Sequence, residues 1–167
     1  MLPFAMAEYR LQTLLELRAR AKEAADRVFA QAIRDLTSAR LRLEQLEGDL
    51  RTRRDARKQK VRTFMQDVIE KGGGAGGFDQ MHRFEERLKD EELAVAAEVD
   101  RQRELVEHAA RALEVKRDEV ADAAKAFKAI EKHKERWARQ IRLEREARDE
   151  LSQEEIGNAL HLMRSRK

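Results

Sequence analysis

Apolar residues recur along the second half of the chain at alternating steps of three and four, the spacing of a heptad seam. One seam position carries Met81, Leu88, Val95, Gln102, Ala109, Lys116, Ala123, Ile130, Trp137, Glu144 and Leu151, and the other carries Glu85, Glu92, Val99, Val106, Leu113, Val120, Phe127, Lys134, Ile141 and Arg148. A repeat held this long keeps one stripe of a helix facing a partner helix, and it predicts a left-handed coiled coil.

The first half of the chain supplies the partner helix. Its seam residues recur at multiples of seven and comprise Leu15, Phe29, Leu36, Leu43, Leu50 and Phe64, with Leu11, Ala25, Ala32, Ala39 and Leu46 at the second position. Folding the chain back on itself pairs Leu50 with Val99, Leu43 with Val106, Leu36 with Leu113, Phe29 with Val120 and Leu46 with Gln102. Both patterns agree on one register, so we predict an all-α fold, a long antiparallel two-helix coiled-coil hairpin.

The fold-over point is a glycine run from Gly72 to Gly77, because each glycine disfavours a helix interior by about 1 kcal/mol. We expect a single coiled-coil domain over 1–167, with arm one at 7–71, the turn at 72–78 and arm two at 79–151, capped by Asp79. A short tail follows at 152–167. Its first residues, Ser152 to Glu155, resemble a capping box that starts a separate helix.

Composition excludes several classes of protein. Charged residues make up 41% of the chain and aromatic residues 5%, too little apolar volume for a compact α/β enzyme. There is no cysteine for disulfides, no apolar run of the roughly 20 residues that cross a bilayer, and no basic start of a signal peptide.

Candidate chemistry is weak. Gly72 and Gly77 have the spacing of a phosphate-binding loop, but Phe78 and Asp79 follow where that motif needs Lys and Ser or Thr. The four histidines, His82, His108, His133 and His161, lie too far apart in sequence for a metal motif, and we interpret them as solvated. The sequence therefore predicts no enzyme, no metal and no cofactor.

The net charge of +3 hides a local imbalance. Residues 51–62 hold seven bases and one acid, opposite a stretch near 86–98 that contains Glu86, Asp90, Glu91, Glu92 and Glu98. Three interpretations stay open. The bases could pair with the acids across the hairpin, form a docking strip for an acidic partner, or contact nucleic acid, which the facing acids and the lack of interleaved aromatics disfavour.

Two clusters exceed what a hairpin needs. Around the glycines lie Phe64, Met65, Val68, Ile69, Phe78, Met81 and Phe84. At the open end of the predicted hairpin lie Tyr9, Arg10, Leu11, Leu14, Leu15, Trp137, Arg139, Ile141 and Arg142. Each cluster has a structural interpretation, closure of the turn or capping of the coiled coil, and a rival interpretation as a binding surface.

Three segments resemble the FliJ/YscO family of type III secretion proteins. YRLQTLLELR at 9–18 resembles the start of that family, AFKAIEKHKER at 126–136 resembles its second arm, and RDEL at 148–151 is similar to its closing segment. The resemblance implies a cytoplasmic stalk protein of a flagellar or virulence-associated export apparatus, held at the cytosolic face through its partners only.

By that resemblance the open end binds a hexameric export ATPase, the rest reaches the cytosolic domain of the export gate, and some members bind export chaperones. The implied ATPase-binding region contains Arg10, Leu14, Arg18, Trp137, Arg139 and Ile141. The implied gate-binding region contains Phe64, Met65, Phe78, Met81 and Phe84. Residues 51–62 are basic where family members carry aromatics, a departure that bears on the gate contacts.

Two other functions compete with the stalk interpretation. A structural coiled coil that straightens and self-associates would have about twice the monomer mass, whereas the hairpin is expected to be a monomer when alone. A pair of amphipathic helices on a membrane surface would need a continuous basic face, and here bases and acids are interspersed.

Overall fold

The computed structural model describes residues 8–166. Two helices make up this part of the chain, α1 at Gln12–Glu70 and α2 at Ala75–Ser165. The helices pack against each other, which confirms the predicted all-α hairpin. The expected start of arm one at residue 7 lies outside the described residues, and Tyr9 to Leu11 form a turn before α1, with the Gln12 amide donating to the Tyr9 carbonyl at 2.9 Å.

The chain divides into two compact units. The first, which we call the terminal unit, combines residues up to Asp26 with those from Glu119 onward; the second, the tip unit, is Arg27–Asp118. Each unit takes one stretch of α1 and one of α2.

In the tip unit the partners run in opposite directions. Glu47 contacts Arg103, Arg57 contacts Glu92, and Phe64 stacks on Phe84, so partner numbers fall as α1 advances. The helices are therefore antiparallel in this unit.

The core of the tip unit is the predicted seam. Leu46, Leu50 and Val99 form one buried cluster, and Val99 is only 2% exposed. Leu50 and Val99 are a predicted pair, so the register predicted from the heptads holds here. Gln102, which is predicted to lie beside Leu46, donates a hydrogen bond from its amide to the Ala39 carbonyl at 3.0 Å.

In the terminal unit the same antiparallel order holds. Tyr9 contacts Trp137, Gln12 bonds to Lys134, and the Lys22 ammonium lies 5.6 Å from the centre of the Phe127 ring. Burial on α2 stops at Ile141, and every residue from 142 to 166 is exposed. The heptad pattern continues past Ile141, through Glu144, Arg148 and Leu151, but within residues 8–166 it buries nothing there.

The turn is shorter than the predicted 72–78. Gly72 has a φ of 69°, the left-handed conformation that glycine adopts without strain. The Gly73 amide donates to the Val68 carbonyl at 2.7 Å and the Gly72 amide to the Ile69 carbonyl at 3.2 Å, the two bonds of a Schellman cap. With α1 closed so tightly, α2 already starts at Ala75. Asp79 is therefore inside α2, and its predicted capping role is wrong.

The predicted boundary at Ser152 is also wrong, because α2 continues to Ser165. Neither proline nor glycine interrupts residues 142–156, and Ser, Gln and Glu are tolerated in a helix interior. A capping sequence starts a helix only where the preceding chain leaves the helical conformation, and here it does not.

Candidate functional site

The terminal unit carries an aromatic cluster, which we call the open-end site. Tyr9 is 7% exposed although it precedes α1. Its ring packs at a tilt against Trp137, with ring centroids 5.3 Å apart, and its hydroxyl lies 2.7 Å from Nδ1 of His133. A tyrosine buries its ring favourably when its hydroxyl keeps a hydrogen-bond partner, and His133 provides it.

A half-buried amine supports the same site. Lys134 occupies a seam position, where its Nζ donates to Oε1 of Gln12 at 2.8 Å and lies 6.0 Å from the centre of the Tyr9 ring. This bond joins α1 to α2 next to the Tyr9–Trp137 contact. The polar seam residue therefore fixes how the two helices meet at the open-end site.

The predicted ATPase-binding residues divide by exposure. Arg10, Arg18 and Arg139 are exposed, whereas Leu14, Trp137 and Ile141 are half-buried. A groove of about 560 Å³ lies beside the Tyr9–Trp137 contact, and it is lined by Glu8, Tyr9, Arg10, Leu11, His133 and Trp137. Exposed cations thus border the half-buried Trp137 ring, which the buried Tyr9 holds in place, an arrangement suited to binding another protein.

Sequence reasoning missed the roles of two members of this site. The sequence groups Tyr9 with this end but predicts no contact for it, and the interpretation of His133 as solvated omits its hydrogen bond to Tyr9. The heptad register contains a signal for this contact. It places Trp137 opposite the start of α1, which brings His133 of α2 close to Tyr9.

The predicted gate-binding residues surround the glycine turn. Phe64 and Phe84 stack with ring centroids 5.5 Å apart and an interplanar angle of 21°. Met81 is half-buried, while Met65 and Phe78 are each 43% exposed. The structure therefore joins two of the five residues across the helices and leaves two more accessible.

The basic segment pairs with the acids across the helices, which is one of the three interpretations left open by the sequence. Arg57 lies between Glu92, at 2.5 Å, and Glu85, at 3.5 Å, and Arg53 reaches Glu91 at 3.8 Å. The pKa of Glu85 lies below its ordinary value, first because Lys89 donates a hydrogen bond to it and then through the charges of Lys89 and Arg57, with desolvation opposing.

Two further features of residues 8–166 concern membrane-spanning helices and metal ligands. Neither helix includes a stretch long and apolar enough to cross a membrane. In the same residues, no three His, Asp or Glu side chains converge as a metal-ligand set.

Comparison with known proteins places these features in a family. The family model described as YscO-like protein matches residues 6–167. Among solved structures, CT670, a proposed YscO homologue from Chlamydia trachomatis, superposes with a TM-score of 0.79 at 22% identity, covering 97% of this chain and 99% of that one. No curated protein matches the sequence significantly.

Proposed function

The chain belongs to the YscO-like family of type III secretion proteins, and on this basis we propose that it is the stalk of an export apparatus. Its open-end site binds the hexameric export ATPase and promotes ATP hydrolysis. Its tip unit contacts the cytosolic domain of the export gate. The protein acts at the cytosolic face of the apparatus, where it promotes the export of substrates.

The observation that carries this proposal is the ordered cluster of Tyr9, His133 and Trp137 beside exposed Arg10 and Arg139. Aromatic side chains and arginines dominate the binding energy of protein interfaces. The cluster is already packed in the free chain, so binding through it would require little further ordering. An ordered aromatic surface bordered by cations supports a protein partner for this end.

The asymmetry of the site supports a mechanism. The turn before α1 supplies Tyr9 and Arg10, whereas α2 supplies His133, Trp137 and Arg139, so the two sides of the site differ chemically. A ring of six equivalent subunits that receives this surface is contacted unequally. Contacts that favour the closed state of one subunit over that of its neighbours shift the equilibrium of that subunit between open and closed states. A stalk without catalytic residues would promote ATP hydrolysis in this way.

Combining Trp137→Ala with Arg139→Glu tests the proposal. We expect the double variant to lose stimulation of the purified cognate ATPase, measured as phosphate release, while its far-UV circular dichroism stays that of the parent. The matched control combines Leu93→Ala with Arg101→Glu, since both residues are exposed in the tip unit. Full stimulation by the Trp137 and Arg139 variant would exclude the open-end site from the mechanism.

The gate contact is proposed for the residues around the glycine turn. Exposed Met65 and Phe78 next to the Phe64–Phe84 stack provide apolar surface that solvent does not favour. Export chaperones are a further class of partner that the family membership suggests. Pull-downs with the purified gate domain and with individual chaperones, using the full chain as bait, test these contacts separately.

A further inference from the structure

Four cations follow one face of α1 in the tip unit, and we call them the basic stripe: Arg51, Arg54, Lys58 and Arg62. Their spacings of three and four residues place them in one line along a helix. All four are exposed, and within residues 8–166 none of them forms an ion pair with a carboxylate. Exposed Asp55 follows Arg51 by four residues on the same face, so four cations and one carboxylate leave this face with a net charge of +3.

Cross-helix pairing does not use the stripe. The carboxylates of Glu91 and Glu92 bind Arg53 and Arg57, which lie on other faces of the same segment of α1. Glu85 and Glu92, the two acids nearest the seam, both bind Arg57. Pairing thus accounts for two of the bases in residues 51–62 and leaves the stripe open.

The face that bears the stripe becomes apolar toward the turn. Met65 and Ile69 continue the line at the same spacing after Arg62, and they are 43% and 61% exposed. In the other direction, exposed Glu44 lies on the same face one heptad before Arg51 and ends the positive charge. From Arg51 to Ile69 the surface is about 27 Å long at 1.5 Å per residue.

We propose that this surface binds an acidic amphipathic helix of a partner protein. A helix with carboxylates three and four residues apart matches the spacing of the cations, and an apolar end of that helix would cover Met65 and Ile69. A helix of about 18 residues has the required length.

Charge and shape favour a protein partner over phosphate polyanions. A nucleic acid would gain nothing from the exposed apolar pair that continues the stripe. Both a nucleic acid and an anionic bilayer would meet the carboxylate of Glu44 at the other end of the surface. Carboxylates, in contrast, already bind arginines of this same segment at 2.5 to 3.8 Å. The inference deepens, and rests on, the proposed gate contact, to which it assigns a ligand chemistry.

The first experiment uses a labelled, helical synthetic peptide of 18 residues, with glutamates three and four residues apart along one face and leucines on the same face at one end. We expect binding by fluorescence anisotropy that weakens with salt, because the contact is between exposed charges. Combining Arg54→Glu with Lys58→Glu should raise the Kd for the peptide about tenfold. Combining Met65→Ala with Ile69→Ala should raise it about fivefold. The control combines Lys128→Glu with Lys132→Glu on the terminal unit, which has the same four-residue spacing and the same change of charge. Its Kd for the peptide should stay within about twofold of the parent's.

Any of three results would overturn the inference. The Arg54 and Lys58 variant could bind the peptide as tightly as the parent does, or the parent could bind equally well a peptide in which every Glu is replaced by Gln. In the third result, the peptide does not bind while phosphatidylserine vesicles bind through the stripe. Repeating the titration with the purified gate domain separates the two proposals. If the Arg54 and Lys58 variant binds the gate domain as tightly as the parent does, the inference is overturned and the gate contact stands. Peptide binding without any gate binding would overturn the gate contact and keep the ligand chemistry.

Discussion

Arg57 shows how one side chain organises the polar part of the tip unit. It occupies a heptad position where an apolar residue would pack, yet it lies between the carboxylates of Glu85 and Glu92 and is 20% exposed. A cation that is partly removed from water is stable only with such partners. Because both acids come from α2, the interaction helps to determine which residues of the two helices lie opposite each other.

The titration of Glu85 gives a pH dependence. Its pKa in the folded chain is below the ordinary 4.5, so its pairing stabilises the fold fully above pH 4.5 and loses that effect as the pH falls through the lowered pKa. We expect Glu85→Gln to lower the unfolding free energy at pH 7 by less than about 1 kcal/mol, because the pair is partly solvated.

The measurement is thermal unfolding of parent and variant between pH 7 and pH 3. The difference in Tm between them should shrink as the pH falls below 4.5 and through the lowered pKa of Glu85. The exposed residue Glu98, changed to Gln, serves as the control. A difference that persists or grows at pH 3 would show that Glu85 stabilises the fold by something other than its charge.

Single residues were predictable where the heptad decides their burial. Every predicted seam residue from Met81 to Ile141 is at least partly buried, including the polar Gln102, Lys116 and Lys134. The bond between Tyr9 and His133 was not predictable, because a hydrogen bond depends on side-chain rotamers and on a turn before α1 that has no periodicity.

Between the two helices, the Schellman cap sets where α1 ends. A Cβ on Gly73 would overlap the Val68 side chain and lie 2.6 Å from the Val68 carbonyl oxygen, which accepts the bond that closes α1. Gly74 has open space around it. Two neighbouring glycines of the same run therefore have different roles.

Replacing these glycines separates the roles. We expect Gly73→Ala to reduce the free energy of unfolding by more than about 1 kcal/mol, since the native conformation does not accommodate a methyl group. Gly74→Ala should change it by less than about 0.5 kcal/mol. Urea denaturation followed by circular dichroism measures both. Equal stability of the two variants would mean that the turn relaxes around the added methyl group.

The helices themselves were predictable, and their ends were not. Periodicity predicts α1 and α2 because burial of a seam requires it, whereas helix ends depend on local caps. The sequence predicts Gly76 and Gly77 in the turn, yet both lie in the first turn of α2, where the Gly77 amide donates to the Gly74 carbonyl at 3.0 Å. The left-handed φ at Gly72 ends α1 early enough for α2 to begin before these glycines.

For the molecule as a whole, membership of the YscO-like family and two accessible surfaces support one assignment. The open-end site combines a packed aromatic cluster with exposed arginines, and the tip unit combines the basic stripe with exposed Met65 and Ile69. The exposed side chains of these surfaces are not needed to pair α1 with α2. They are therefore available for the ATPase and gate contacts that we propose.

The stalk proposal depends above all on contact between the open-end site and the export ATPase, which site-specific photo-cross-linking can detect. Benzoylphenylalanine would replace exposed Ala138, next to Trp137, or exposed Phe78 at the tip, in complexes with the purified hexameric ATPase. We expect a cross-link to an ATPase subunit from position 138 and none from position 78. Cross-linking from position 78 alone, or from neither position in an intact complex, would show that the open end is not the ATPase-binding site.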